Sequence, residues 1–171
     1  MTEERRLVTV LFADVVGSTA LGEALDPEDV RTLLGRMFAI ARDSIERHGG
    51  TLEKFIGDAV MAVFGLPTAH DDDPARACSA ALEFRDRVRD DPVLSQRLEI
   101  RLGVNTGEVI AYRDPGADET LITGDAVNTA ARLEQAADAG TILVGERTAA
   151  ALGGTFRLGG AVEVAAKGKA E

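Results

Sequence analysis

Two aspartates stand where short apolar runs give out. Asp14 follows LVTVLFA (residues 7–13), and Asp58 sits in FIGDAVMAVF just before a second apolar run. If the two runs are neighbouring strands, both carboxylates emerge at the same end of one sheet. Two hard oxygen ligands held close together, with positions left open for phosphate, suit Mg²⁺ or Mn²⁺. Each residue also has a plainer reading: Asp58 as a Gly-Asp turn, Asp14 as the cap of whatever follows. Residue types alone leave both readings standing. Asn128 and Arg132 lie four apart in a helical string and so share a helix face. An amide and a guanidinium so placed can orient a sugar and clamp a phosphoryl group. An ordinary solvated face, with Arg132 beside Glu134 or Gln135, accounts for the same spacing. Lys54 is unusual among apolar strand neighbours, and an edge-strand lysine that guards against aggregation explains it equally well. Lys167 and Lys169 flank Gly168 in what reads as a flexible basic tail.

Other chemistries are excluded by what the sequence lacks. Cys78 is the single cysteine, so neither an internal disulfide nor a CxxC zinc pattern is present, and its place on an apolar helix face makes it a core residue. His48 and His70 have no Cys or His at metal-ligand spacing, and the acidic run at residues 71–73 is a turn followed by a helix cap. There is no GxxxxGK[ST] loop, no GxGxxG after a strand and no serine nucleophile elbow. A nucleotide, if one is bound, must be held by metals and side chains.

These residues need elements to position them. The pattern predicts a buried strand at residues 7–13, a VGST turn, and a helix from Asp26-Pro27 towards His48, closed by Gly49-Gly50. Its inward stripe is Val30, Leu33, Leu34, Met37, Phe38, Ala41 and Ile45. TLEKFIGDAVMAVFG reads as two strands around a tight turn at Ile56-Gly57-Asp58. A second helix follows Asp73-Pro74 as far as about Val88, and LEIRLGVN (98–105) alternates as a strand with residues 108–112 as its hairpin partner. A mobile polar excursion at 113–119, a helix at 125–137, a strand at 141–144 and a small helix at 145–152 complete the order. The final AVEVAAKGKAE begins like another strand and then stops, which suggests a domain cut from the start of a longer protein. The order predicts an α+β fold: a ferredoxin-like βαββαβ core with extra elements, its mainly antiparallel sheet carrying helices packed on one face.

The chain has 171 residues, enough for one domain, and 45% of them are hydrophobic, enough for a real core. A net charge of −10 argues against nucleic acid as a partner. No apolar run reaches the ~20 residues of a membrane span. The charged start MTEERR is unlike a signal peptide, so a cytoplasmic location is expected.

LFADVVGST, HGGTLEKFIGDAVMAVFG, LGVNTGEV and TGDAVNTAARLEQAA, in that order, closely resemble the catalytic domain of bacterial class III nucleotidyl cyclases, from about Val8 to Lys169. The resemblance implies conversion of ATP to 3′,5′-cyclic AMP and pyrophosphate by a head-to-tail homodimer with shared active sites, each holding two Mg²⁺ or Mn²⁺ ions. It implies that Asp14 and Asp58 bind the metals with the backbone carbonyl of Val15, and that Lys54 reads the purine edge. Asn128 would orient the ribose, Arg132 would act on the transferring phosphate, and Lys167 (or its neighbour Lys169) would reach the terminal phosphates. One position departs. The family usually has Asp or Thr three residues before the glycine of the third-helix motif, and here that residue is Leu121. Leu121 motivates a second reading, a catalytically silent cyclase-like module that dimerises for regulation; retention of both aspartates, Asn128 and Arg132 argues against it. A diguanylate cyclase is a further relative to consider, but its GGDEF signature is replaced here by FIGDAV.

Overall fold

The protein is described from a computed structural model, which covers residues 2–114 and 119–159. Strand β1 (Thr2–Val16) runs through the middle of the sheet. Its alternation sends Leu11, Ala13 and Val15 to one face, and Val8, Val10 and Phe12 to the other. It pairs antiparallel with β3 (Ala59–Phe64) and with β4 (Glu99–Asp114). Outside these, β2 (Thr51–Ile56) pairs with β3 and β5 (Glu119–Thr123) with β4, giving the order β2-β3-β1-β4-β5. The short β6 (Ile142–Val144) runs parallel to β4. The four strands β2-β3-β1-β4 have the ferredoxin-like arrangement, and the expected α+β class stands.

Helix α1 (Ser18–Ala24) precedes α2 (Pro27–Arg47) and α3 (Asp73–Asp90). Pro27 opens α2, and Gly49, with φ of 82°, lets the chain turn out of it. The stripe Leu33, Met37, Ile40, Ala41, Ser44 and Ile45 is buried, as are Ala77, Ala80, Ala81, Phe84 and Val88 of α3. Both helices pack on the Leu11 face of the sheet. Cys78 is buried there too, and burial pushes its thiol up to about 12, so it stays protonated core.

Four expectations need correction. The first strand does not end before Asp14: it continues to Val16, because Arg101 faces Asp14 across the β1–β4 ladder and gives the carboxylate a partner. The VGST string is not only a turn, since Gly17 (φ 73°) turns the chain and Ser18 opens α1. Residues 98–105 and 108–112 are not two arms of a hairpin: from Glu99 onward both belong to one 16-residue strand, β4. Thr106 and Gly107 stay extended opposite Thr9 and Val8, and the buried Thr106 hydroxyl bonds both Thr9 (3.0 Å) and Thr148 (2.8 Å). The hairpin partner of β4 is β5, and residues 115–118 of the expected excursion lie outside the described residues, as does the tail from 160 onward.

The last correction concerns α4 (Asp125–Ala136), which packs with Val8, Val10, Met61 and Val63 on the face opposite α2 and α3. Small residues permit it. A Cβ on Gly103 would lie 2.5 Å from the Ala130 carbonyl oxygen, and one on Gly107 would lie 2.8 Å from the Ala126 Cβ. Asn105, between them, donates its Nδ2 to the Ala126 carbonyl at 3.1 Å. The chain then returns through β6 to the small helix α5 (Glu146–Ala151).

The two kinds of glycine should respond oppositely to the same change. Gly103→Ala must push α4 off β4 and is expected to cost about 1–3 kcal/mol. Gly35→Ala, in open space inside α2, should stabilise by about 0.5–1 kcal/mol. Urea unfolding of the two variants beside the parent measures both signs.

Candidate functional site

Asp14 and Asp58 are brought to one end of the sheet by adjacent strands. β1 and β3 pair with Ala13 opposite Val60, so Asp14 comes level with the start of β3, where the turn Gly57-Asp58 delivers the second carboxylate. Gly57 has φ of 61°, a conformation that suits glycine and folds the β2–β3 hairpin tightly. Asp14 shares its sheet face with Phe12 and therefore with α4, while the Val15 side chain is buried on the other face.

Two residues that the sequence reading did not single out complete this cluster. Arg101 donates from Nε to Asp14 Oδ1 at 2.8 Å and from Nη2 to Oδ2 at 3.3 Å. Its Nη1 donates to the Gln135 carbonyl oxygen at 2.8 Å, which ties the guanidinium to the last turn of α4. Glu134, read above as part of a solvated face, is instead 4% exposed. Burial, a hydrogen bond with Asp14 and the nearby negative charges of Asp14 and Asp58 push its carboxyl up to about 8; Arg101 opposes the shift. Beside Asp14, Glu134 therefore holds its proton to higher pH than an ordinary carboxyl does. The available signals were an arginine inside the alternating strand LEIRLGVN and a glutamate two residues beyond Arg132, and neither stands out without the pairing of β4 with β1 and α4.

The other expected residues are spread more widely. Lys54 is exposed on β2, Asn128 is exposed on α4, and Arg132 is half-buried one turn further along. Asn128 and Arg132 have no side-chain hydrogen-bond or ion-pair partner among the described residues, so both are available to a ligand. Leu121 is in β5 with its backbone opposite Tyr112, and its side chain lies outside the described residues. Lys167 and Lys169 lie outside them as well.

The donor chemistry at Asp14 and Asp58 fits a divalent cation. Both are hard carboxylate oxygens at one sheet end, and the guanidinium of Arg101 already sits against Asp14 as a cation. Among the described residues no three His, Cys, Asp or Glu side chains form a complete cage.

Comparison with known proteins decides the family. The pattern of the adenylate and guanylate cyclase catalytic domain matches residues 1–171. The chain belongs to that family. Its fold is shared with the guanylyl cyclase Cya2 (TM-score 0.93, 31% identity, all of this chain and 90% of that one). It is shared equally with the adenylyl cyclase CyaB from P. aeruginosa (TM-score 0.90, 31% identity, all of this chain and 92% of that one). An uncharacterized Mycobacterium tuberculosis protein, Rv1318c, is 39% identical over 133 residues, which cover 76% of this chain and 24% of that protein. The chain therefore spans about a quarter of the length of the curated relatives it matches, 24% for Rv1318c. Domains of this class III cyclase family generally use divalent metals, bind nucleotide and commonly dimerise. Among the described residues no helix is long and apolar enough to cross a membrane.

The raised pKa of Glu134 in this cyclase domain has a consequence for stability. The unfolded chain releases this proton near the ordinary value of 4.5, while the folded metal-free domain keeps it up to about 8. The contribution is therefore fully present below 4.5 and is lost as pH rises through about 8. Glu134→Gln should flatten this fall. Urea midpoints of parent and variant, measured without metal between about pH 5 and about pH 9, should converge at the acid end and separate at the alkaline end, with the variant higher.

Proposed function

We propose that this domain converts ATP to 3′,5′-cyclic AMP and pyrophosphate, with two metal ions at each shared site of a head-to-tail homodimer. The observation that carries the reading is the meeting of Asp14 and Asp58 at one sheet end, on neighbouring strands of a cyclase-family domain. The metals, when bound, would lower the pKa of the ribose 3′-hydroxyl and neutralise the pyrophosphate leaving group. Asp14 and Asp58 would hold them, with the Val15 carbonyl. Asn128 would fix the ribose so that its 3′-oxygen lies in line with the α-phosphorus, which makes the attack intramolecular. Arg132 would stabilise the charge that builds on the α-phosphate oxygens as the bond to the β-phosphate breaks. Lys167 is assigned to the terminal phosphates by the resemblance alone.

The base is chosen by this chain's own residues, because Cya2 is a guanylyl cyclase and CyaB an adenylyl cyclase at the same 31% identity. Lys54 can donate to adenine N1, where guanine presents a donor, yet a lysine can also swing to guanine O6. The oxygen that would accept from the adenine amino group is missing at Leu121. An apolar wall discriminates by about 10–200-fold, whereas a paired polar contact reaches ~10⁴-fold or more. ATP preference over GTP is thus expected in the lower range, and Leu121→Asp should raise it. The ratio of kcat/KM for the two nucleotides in parent and variant reads this out, with product analysis under Mg²⁺ and Mn²⁺. Absence of any cyclic product would favour the silent dimerisation module.

The shared-site geometry has its own test. In the arrangement that the resemblance implies, Asp14 and Asp58 of one protomer face Lys54, Asn128 and Arg132 of the other. Asp58→Ala and Arg132→Ala should each be inactive, and Asp58 suits the experiment because it sits in a turn rather than in the Arg101 pair. Mixed after subunit exchange, half the dimers are heterodimers with one intact site of two, so activity should return to about a quarter of the parent. No recovery after verified exchange would place each site within one protomer.

A further inference from the structure

We propose that Arg101 is a positioning residue for the metal-binding carboxylate Asp14, and that through it the metal affinity of the site is tied to the last turn of α4. The inference rests on the reading of Asp14 as a metal ligand. Arg101 and Asp14 are directly opposed in the β1–β4 ladder, which places both side chains on the same face of the sheet. The guanidinium uses two of its nitrogens on the two carboxylate oxygens, at 2.8 and 3.3 Å, and the third on the Gln135 backbone at 2.8 Å. A planar fork gripped from both sides cannot follow the carboxylate if it rotates, so it fixes the rotation of Asp14. A carboxylate offers about four lone-pair sites, and the fork takes one from each oxygen. Acceptor capacity is left for a cation.

A second effect of Arg101 has the opposite sign. Its positive charge repels a divalent ion bound to the same carboxylate. Both side chains keep contact with solvent, Arg101 at 28% and Asp14 at 18% exposure, so water and salt weaken that repulsion. Orientation of the ligand is not screened in this way. Loss of a group that orients a metal ligand commonly weakens metal binding by 10–100-fold. Positioning therefore outweighs repulsion, and the sign of the change in metal affinity distinguishes the two. A purely structural ion pair would alter the melting temperature and leave the metal affinity of the folded domain unchanged.

Free Mn²⁺ counted by electron paramagnetic resonance, during titration of the whole chain, gives the affinity without reference to turnover. Melting temperatures taken without metal report folding. Asp14→Asn keeps the shape and an acceptor for Arg101 and should weaken Mn²⁺ binding; affinity equal to the parent would overturn the metal reading, and this inference with it. If that binding depends on Asp14, Arg101→Met is expected to weaken it about 10–100-fold. Arg101→Lys, which keeps the charge without the fork, is expected to weaken it as well. Parental or tighter Mn²⁺ binding by Arg101→Met overturns the proposal, and if that variant does not fold, parental affinity in Arg101→Lys does so.

Discussion

The backbone of α4 can lie directly on β4 only where β4 carries no side chain, and Gly103 and Gly107 provide those two places. Much at the carboxylate end of the sheet follows from that approach. It buries Glu134 against the sheet and brings the Gln135 carbonyl within 2.8 Å of Arg101. Arg101 in turn grips Asp14, which keeps β1 in the ladder as far as Val16. A larger residue at either glycine would act on a carboxylate in another element, through a helix that carries Asn128 and Arg132 as well.

Much of this was legible in the residues. The apolar stripe of α2, the Gly57-Asp58 hairpin and the inward face of α3 follow from periodicity and turn chemistry, which are local properties. The errors arose where a distant partner overrides local signals. Thr106-Gly107 looks like a place to turn, but Thr106 is held extended by hydroxyl contacts with Thr9 and Thr148, 97 and 42 residues away in the chain. Glu134 looks solvated beside Arg132 until α4 is placed on β4. The site divides in the same way: Asp14 and Asp58 were found from where apolar runs stop, whereas Arg101 becomes meaningful only once it is seen opposite Asp14.

The two faces of the sheet carry different duties. The face under α2 and α3 is lined by large apolar side chains, with Phe64, Phe84, Met37 and Leu11 fully buried. The face under α4 also buries Val8, Val10, Met61 and Val63, but the helix meets β4 along a seam of small residues with one polar anchor: Gly103, Asn105 and Gly107 against Ala126 and Ala130. A close-packed apolar layer supplies stability, and a backbone-to-backbone seam supplies fixed placement. Asp14, Arg101 and Glu134 lie on the second side, where a shift of the helix would be felt by Asp14 through Arg101.

The facing of Asp14 and Arg101 also bears on how the long central strands find one another. β1 and β4 share fifteen successive pairs, from Thr2 with Arg113 to Val16 with Glu99. A slip of one residue would turn every apolar side chain to the wrong face and is excluded by alternation. A slip of two preserves the alternation, so hydrophobic patterning gives it little penalty. Displaced two places in one direction, Asp14 would meet Glu99 and Arg101 would face Phe12; in the other, Asp14 would meet Gly103 and Arg101 would face Val16. Of these three alignments only the true one joins the two charges, so the pair separates it from its nearest impostors.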